Sequence, residues 1–474
     1  MGFMGLRKRV ATGGIALMMA VSAPVAASAE SLADALASAY NNSGLLNQYR
    51  AVLRAADEDV AVALADLRPV IGWTGTVQYA PVRSGLRDTP LPSTTTNQNV
   101  SVTSLIGLEQ LLWDNGSTRM SVEAKKEAVL ATRAALVGVE QSILLQAVDA
   151  YMSVRSASET VALRENNVRV ISEELRAAKD RFDVGEVTRT DVAQAEARLA
   201  SARSQLAQAQ GDLVNAQLYF KSAVGRKPGS LTPPPLVPAT AKTIAEAKAI
   251  AVRNHPNIKK LQHEVTAAEL GIEIARASHG PSVKLKSGVS LNENFDSPNY
   301  NRSFSMSVEA TAPIYSGGKL SALLRRAIAN RDAKRAELLV TTQTVEREVG
   351  TAFSGLRVAG AAREAYDRQV RAATVAFRGV REEATLGART TLDVLNAEQE
   401  LLSAQSNLIS ARNSEYVAAY SLLENMGLLT AQHLNLKVQR YDESAYYNQV
   451  KNAPAGLSKQ GRQLERVLQG IGKK

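Results

Sequence analysis

The chain has 474 residues, a formal net charge of +10, 22% charged residues and no cysteine. The missing cysteines exclude disulfides, an N-terminal lipid-anchor site and any cysteine-based metal or nucleophile chemistry. Three positive charges (Arg7, Lys8, Arg9) fall in the first 29 residues, and the remaining +7 is interleaved along helices, as in Arg325–Lys334 with Asp332. Such interleaving marks solvated helix faces, and no basic-aromatic platform for nucleic acid is present.

Residues 1–29 read as a signal peptide. The basic Arg7-Lys8-Arg9 precedes a short apolar stretch, Ile15–Val21, and Ala27-Ser28-Ala29 fits the small-residue cleavage pattern. The mature chain is expected to begin near Glu30, outside the cytoplasm. No later segment approaches the ~20 uninterrupted apolar residues of a membrane helix. The mature protein is therefore either soluble or membrane-crossing through β-strands.

Residues 30–225 and 243–427 repeat one plan. Asp180–Gly225 maps onto Glu382–Gly427 at an offset of 202 without a gap, pairing Gly185 with Gly387 and Asp191 with Asp393. Upstream the offset is 212, where Leu32–Ala35 meets Ile244–Ala247 and Pro69 meets Pro281. This divides the chain into a first repeat over 30–242, a second over 243–434 and a C-terminal extension over 435–474. Repeats this long indicate a duplicated architecture rather than a short-period solenoid.

Within each copy, a short helix leads to a proline and then to a pair of strands. Ile71, Trp73, Val77 and Tyr79 alternate with Gly72, Thr74, Thr76 and Gln78, and Val100, Val102 and Ile106 with Ser101 and Thr103, Leu105 being an exception. The second copy repeats the period with Val283, Leu285, Val289 and Leu291, then Phe304, Met306 and Val308. Strands are expected over about 70–80, 99–112, 282–292 and 302–313. The first connecting loop, around Ser84–Thr96, should absorb the ten-residue change in offset. Proline-free runs follow, Ser117–Phe182 and Lys319–Thr385. At ~1.5 Å per residue each helix would extend about 100 Å.

Each long helix ends in a glycine turn, Val184–Asp191 or Leu386–Asp393. Glycine suits the left-handed end of a helix, and Thr188 with Asp191, like Thr390 with Asp393, has the spacing of an N-cap box. On local chemistry alone these aspartates are caps. The next helices carry heptads. Val192, Leu199, Leu206, Leu213 and Phe220 run beside Ala195, Ala202, Ala209, Ala216 and Ala223. In the second copy Glu415 interrupts the row of Val394, Leu401, Leu408 and Leu422. A large/small seam of period 3.5 predicts close antiparallel helix packing.

Four strands of ~9–11 residues, each with one apolar and one small polar face, suit a membrane barrel with a wet lumen. Four cannot close one, and an open edge in lipid is forbidden. Several protomers must share a barrel. A dimer would give eight strands and a trimer twelve, and only twelve leave an aqueous bore.

This plan resembles the TolC-type outer-membrane efflux proteins. The resemblance covers about Ser31–Leu434 and is most specific over Leu386–Glu398. It implies a homotrimer in the outer-membrane lipid, with a twelve-stranded β-barrel continued by an α-helical periplasmic tunnel. It further implies docking to a periplasmic adaptor protein and an inner-membrane transporter, as the exit duct of a tripartite efflux or type I secretion system. Asp393 matches a family aspartate that rings the pore constriction, and Asn396 stands where a second ring aspartate can occur. Arg389 and Thr190 match a pair linking neighbouring helices in the closed tip, and Asp191 matches a further closed-state partner. Ala384 stands where that partner's tyrosine can occur, so this link is missing. The turns holding Val184, Gly185 and Thr188, and Leu386, Gly387 and Thr390, resemble adaptor-docking grooves. Three converging Asp393 carboxylates would draw cations and narrow the bore.

An exported coiled-coil adaptor is the second reading, although it would not need doubly repeated strands of membrane length. An enzyme ranks behind both. His255, His263, His279 and His433 fit no metal or nucleophile motif, and no cofactor is expected. The tail after Leu434 lacks the repeat pattern, and its sequence leaves open whether it wraps the tunnel exterior or is disordered. Substrate and cognate pump are not legible in a passive duct.

Overall fold

The structure is a computed structural model that describes residues 30–85, 94–235, 237–238, 240–295, 298, 300–456 and 458–472. The expected signal peptide, 1–29, and the first hairpin tip, 86–93, lie outside the described residues.

The duplication is visible element by element. The first copy runs α1 (Leu32–Asn42), α2 (Gly44–Ala65), β1 (Val70–Gly85), β2 (Thr94–Trp113), α3 (Ser117–Asp183) and α4 (Arg189–Val224). The second runs α5 (Ile244–Asn254), α6 (Pro256–Ala277), β3 (Ser282–Asn294), β4 (Tyr300–Thr311), α7 (Lys319–Thr385) and α8 (Thr391–Asn425). The tail adds α9 (Glu443–Val450) and α10 (Lys459–Gly472). Helices α3 and α7 each hold 67 residues.

Two expectations need correction. The single short helix of each copy is two. Ser43 breaks the first and accepts the Leu46 N–H with its side chain, while His255 breaks the second ahead of Pro256. A capping side chain followed by a fresh first turn, or by proline at its first position, starts a new helix rather than continuing the old one. The ten-residue difference is also not confined to a loop. Strands β1 and β2 reach 16 and 20 residues against 13 and 12 for β3 and β4, and backbone pairing continues to Gly85 opposite Thr94.

The strands form one antiparallel sheet in the order β1-β2-β3-β4. Its register gathers the apolar residues on one face. Trp73 stands opposite Ile106, Ile106 opposite Val289 and Val289 opposite Phe304. Trp73, Val77, Phe304, Met306 and Val308 are all strongly exposed in the single chain. The other face is small and polar. It carries a row of glycines, Gly72 opposite Gly107 and Gly107 opposite Gly288. It also carries two ion pairs, Lys284–Glu109 at 2.7 Å and Lys286–Glu309 at 2.8 Å. The exception Leu105 finds its place here, since a Cβ on Gly288 would stand 3.1 Å from Leu105 Cδ1. Glycine at 288 leaves the leucine room.

Helix packing follows the heptads. Ala195, Leu199, Ala202, Ala209 and Phe220 of α4 are buried. Helix α8 buries a second side as well, with Leu395, Glu398 and Leu402, because it packs on both α7 and α3. Glu415, the residue that breaks its seam, reaches Arg363 of α7 at 2.7 Å. Among the described residues one helix, α3, holds a stretch apolar and long enough to cross a membrane by composition. Val129, Leu136, Ile143, Leu144 and Val148 of α3 are buried in the main helical core with Leu36, Leu53, Phe220 and Leu423. Helix α7 differs from its twin. It buries only Val345, Val349, Ala373 and Ala384 among its described residues, and Leu339, Val340, Val358 and Val375 stand exposed.

Candidate functional site

The far end of the helical hairpins carries the sequence-derived site. Gly185 and Gly387 have φ of 84° and 77°, the left-handed region that terminates a helix and turns the chain. Helices α4 and α8 then start on matched capping boxes. Thr188 N–H donates to Asp191 Oδ2 at 2.8 Å and Thr390 N–H to Asp393 Oδ2 at 3.0 Å. The threonine hydroxyls accept in return from Asp191 N and Asp393 N. The caps expected from local chemistry are therefore formed, and both aspartates sit in the first turn, where the helix dipole favours a negative charge.

These bonds hold both carboxylates ionised. The Thr188 hydroxyl and N–H lower the Asp191 pKa below the usual carboxylate range. The Thr390 N–H and hydroxyl do the same for Asp393, with a further contribution from the Arg389 charge. Each capped, half-buried aspartate keeps its charge, with both capping bonds on Oδ2.

The two turns meet. Thr188, Asp191, Ala384, Leu386, Gly387, Arg389, Thr390 and Asp393 line one cleft of about 720 Å³. Val184 and Leu386 project from the turns, 71% and 84% exposed. Thr190 is exposed and outside that cleft. Within one chain Arg389 does not pair with Thr190. Its Nε donates to Glu383 Oε2 at 2.9 Å. Asn396 accepts from Arg198 of α4 at 3.3 Å, which ties the two heptad helices together. Buried Ala384 lies on the cleft wall.

Sequence reasoning missed several members of this region. Glu383 holds Arg389, and Arg198 holds Asn396. Arg381 of α7 reaches Glu174 of α3 at 3.2 Å. A buried polar pair, Asn167 of α3 and Glu398 of α8, also went unread. The repeat gave no signal for it, because the aligned residue is glutamate too. The counterpart of Glu398 is Glu196, which is exposed and pairs with Lys179 at 2.8 Å.

The histidines have structural surroundings. His255 Nδ1 accepts from Asn257 N at the start of α6, and burial lowers its pKa. His263 Nδ1 lies 2.8 Å from Glu127 Oε2. No cluster able to hold a metal ion occurs among the described residues.

Comparison with known proteins gives consistent findings. The family model for outer membrane efflux proteins matches residues 35–226 and 249–428. The outer membrane efflux protein BepC of Brucella suis biovar 1 (strain 1330) is 35% identical over 452 residues, covering 95% of this chain and 97% of BepC. The proteases secretion protein PrtF of Dickeya chrysanthemi is 26% identical over 419 residues, covering 86% of this chain and 90% of PrtF. Among solved structures, the CmeC outer membrane channel of Campylobacter jejuni matches with a TM-score of 0.74 at 17% identity over 90% of each chain.

Proposed function

This chain belongs to the outer membrane efflux protein family, and we propose that three copies of it build one passive exit duct opened at its helical tip. It is an outer-membrane efflux or secretion channel of the TolC type, with the α+β channel fold of that family. The family consists of trimeric transport proteins, not enzymes, that work within tripartite pumps. The adaptor reading gives way to this one.

The observation that carries the trimer is the sheet. It offers lipid a continuous apolar face, yet within one chain β1 and β4 are edges. Unpaired backbone groups in hydrocarbon cost several kcal/mol each. Pairing β4 of one protomer with β1 of the next, three times, removes every edge and gives twelve strands. The exposed apolar residues of α7 provide a helical face for the same neighbour. In this reading the signal peptide, 1–29, is removed, the repeats over 30–242 and 243–434 each supply two strands and a tunnel wall, and 435–474 stays in the periplasm.

At the tip, three Asp393 carboxylates form the constriction, with Asn396 beside them. Arg389, Thr190 and Asp191 link neighbouring helices when closed. The Val184-Gly185-Thr188 and Leu386-Gly387-Thr390 turns receive a periplasmic adaptor, which prefers the splayed tip and shifts the equilibrium toward it. An inner-membrane transporter feeds the duct. BepC is named for efflux and PrtF for protease secretion, and a bore without a substrate pocket would serve either cargo.

Purified mature protein in planar bilayers tests the reading. Discrete, cation-selective conductance from a trimeric particle is expected. A monodisperse soluble protein without conductance would overturn it.

A further inference from the structure

The tail climbs helix α2 toward the membrane. Arg50 lies over the Tyr441 ring at 5.2 Å. Further along α2, Tyr446 donates its hydroxyl to Glu58 at 2.6 Å. At the top, the Arg68 guanidinium donates to the carbonyls of Asn452 and Ala453, at 2.5 and 2.8 Å. Arg68 stands two residues before β1 and shares a cleft with Val70, Glu109, Asp114 and Ser282, where strands pass into helices. Exposed apolar side chains mark this level as well: Leu112, Trp113, Ile314 and Tyr315, the last two 99% and 89% exposed. The tail is therefore delivered to the tunnel-side edge of the lipid.

Helix α10 begins there. Five residues lie between Ala453 and Lys459, so the link reaches at most ~20 Å. The Ser458 N–H donates to Ala455 O at 2.9 Å, and Ser458 Oγ then accepts from Gly461 N at 2.9 Å, which folds the link tightly and caps the helix. Leu464, Val467 and Leu468 recur at i, i+3 and i+4 on one face, while Lys459, Arg462 and Arg466 lie on the other. Val467 and Leu468 are exposed, and among the described residues no other helix or strand packs along α10. From Lys451 onward six basic residues face one carboxylate, Glu465.

We propose that α10 is a membrane-surface anchor. It lies in the interface of the leaflet facing the tunnel, with Leu464, Val467 and Leu468 at the acyl boundary and its basic face among anionic headgroups. A helix with one narrow apolar face and a basic polar face partitions in this way, through apolar burial plus attraction to anionic lipid. The inference rests on the sheet lying in the outer membrane and is independent of the tip reading. Three such anchors around a trimer would resist tilting of the tunnel when the tip is pulled open.

The cysteine-free chain allows a clean test with the full-length protein. Leu468→Cys, and separately Val467→Cys, would carry an environment-sensitive fluorophore in proteoliposomes of phosphatidylcholine with or without phosphatidylglycerol. Trimer migration on gels confirms folding of each variant. A blue shift and loss of iodide quenching in the anionic vesicles, both diminished in phosphatidylcholine alone and by Arg462→Glu with Arg466→Glu, is the expected result. Equal quenching in both vesicles would overturn the proposal. So would equal protection in both that survives the arginine changes, since a protein surface would then cover the face.

Discussion

Asn167 of α3 donates its side-chain amide to the buried carboxyl of Glu398 on α8, so the one buried acid of the tip hairpins joins the first repeat to the second. Around them Ile171, Ala195, Leu199, Ala202 and Leu395 close an apolar cluster. Burial raises the Glu398 pKa, against the lowering by the Asn167 bond and by the Arg164 and Arg198 charges, with Glu174 adding to the rise.

The raised value fixes a sign. A carboxyl whose folded pKa exceeds its unfolded one holds its proton in the packed state, so packing is strongest below the ordinary glutamate range and weakens as pH rises through the folded pKa. Glu398→Gln keeps the shape and removes the titration. It should flatten the loss of hydrogen-exchange protection, taken relative to the unstructured-peptide rate at each pH, that the wild type shows along the tip ends of α3 and α8 as pH rises above the ordinary glutamate range. Identical exchange profiles in both proteins would remove Glu398 from this role. Glu398→Ala, which orphans Asn167, should loosen the same segment at every pH, at about 1–3 kcal/mol.

Asp393 does two jobs, capping α8 and presenting charge. Asp393→Asn retains a capping oxygen and removes the charge, whereas Asp393→Ala removes both. Both should lower cation selectivity in single-channel recordings, and only the alanine should also raise conductance to large solutes by fraying the turn. Unchanged selectivity in both variants would sink the ring assignment.

Gly427 has φ of 73°, and a Cβ placed there would stand 2.7 Å from the Asn254 carbonyl carbon. At Gly225, its repeat partner, with φ of 85°, a Cβ would stand at the same distance from Asn42 Cβ. Gly427→Ala combines a left-handed backbone penalty of about 1–2 kcal/mol with a collision against backbone. Gly225→Ala carries the same two penalties, because Asn42 Cβ is fixed by its own backbone, so the thermal unfolding midpoints of both variants should fall below that of the wild type.

Asp57 of α2 is buried with neither carboxylate oxygen hydrogen-bonded to protein. Burial pushes its pKa up to about 6, opposed by Arg133 and assisted by Glu58. The folded value lies above the unfolded one, so its contribution to stability is full below the ordinary aspartate value of 3.8 and is lost as pH rises through about 6. Asp57→Asn should leave stability near pH ~3 little changed and increase it at pH ~7.5 by about 1–3 kcal/mol. Thermal unfolding at the two pH values checks this.

Much of the molecule was legible in the residues alone. The duplication, the capping boxes at Thr188 and Thr390, the left-handed glycines and the heptad seams depend on interactions within a few residues, where chemistry and spacing suffice. The period-2 strands were legible for the same reason, and their length with an apolar face already demanded a closed barrel. The tertiary structure decided what depends on neighbours far along the chain. Glu415 breaks a seam in sequence and is an ion pair with Arg363 in space. Equivalent glutamates, Glu196 and Glu398, became a surface residue and a buried one because α8 packs between two long helices and α4 does not. The tail that composition left open became a strap bound along α2, since Tyr446 and the carbonyls of Asn452 and Ala453 find Glu58 and Arg68 nearly 400 residues away. Local pattern sets the elements; burial and pairing between distant segments set what each repeated residue does.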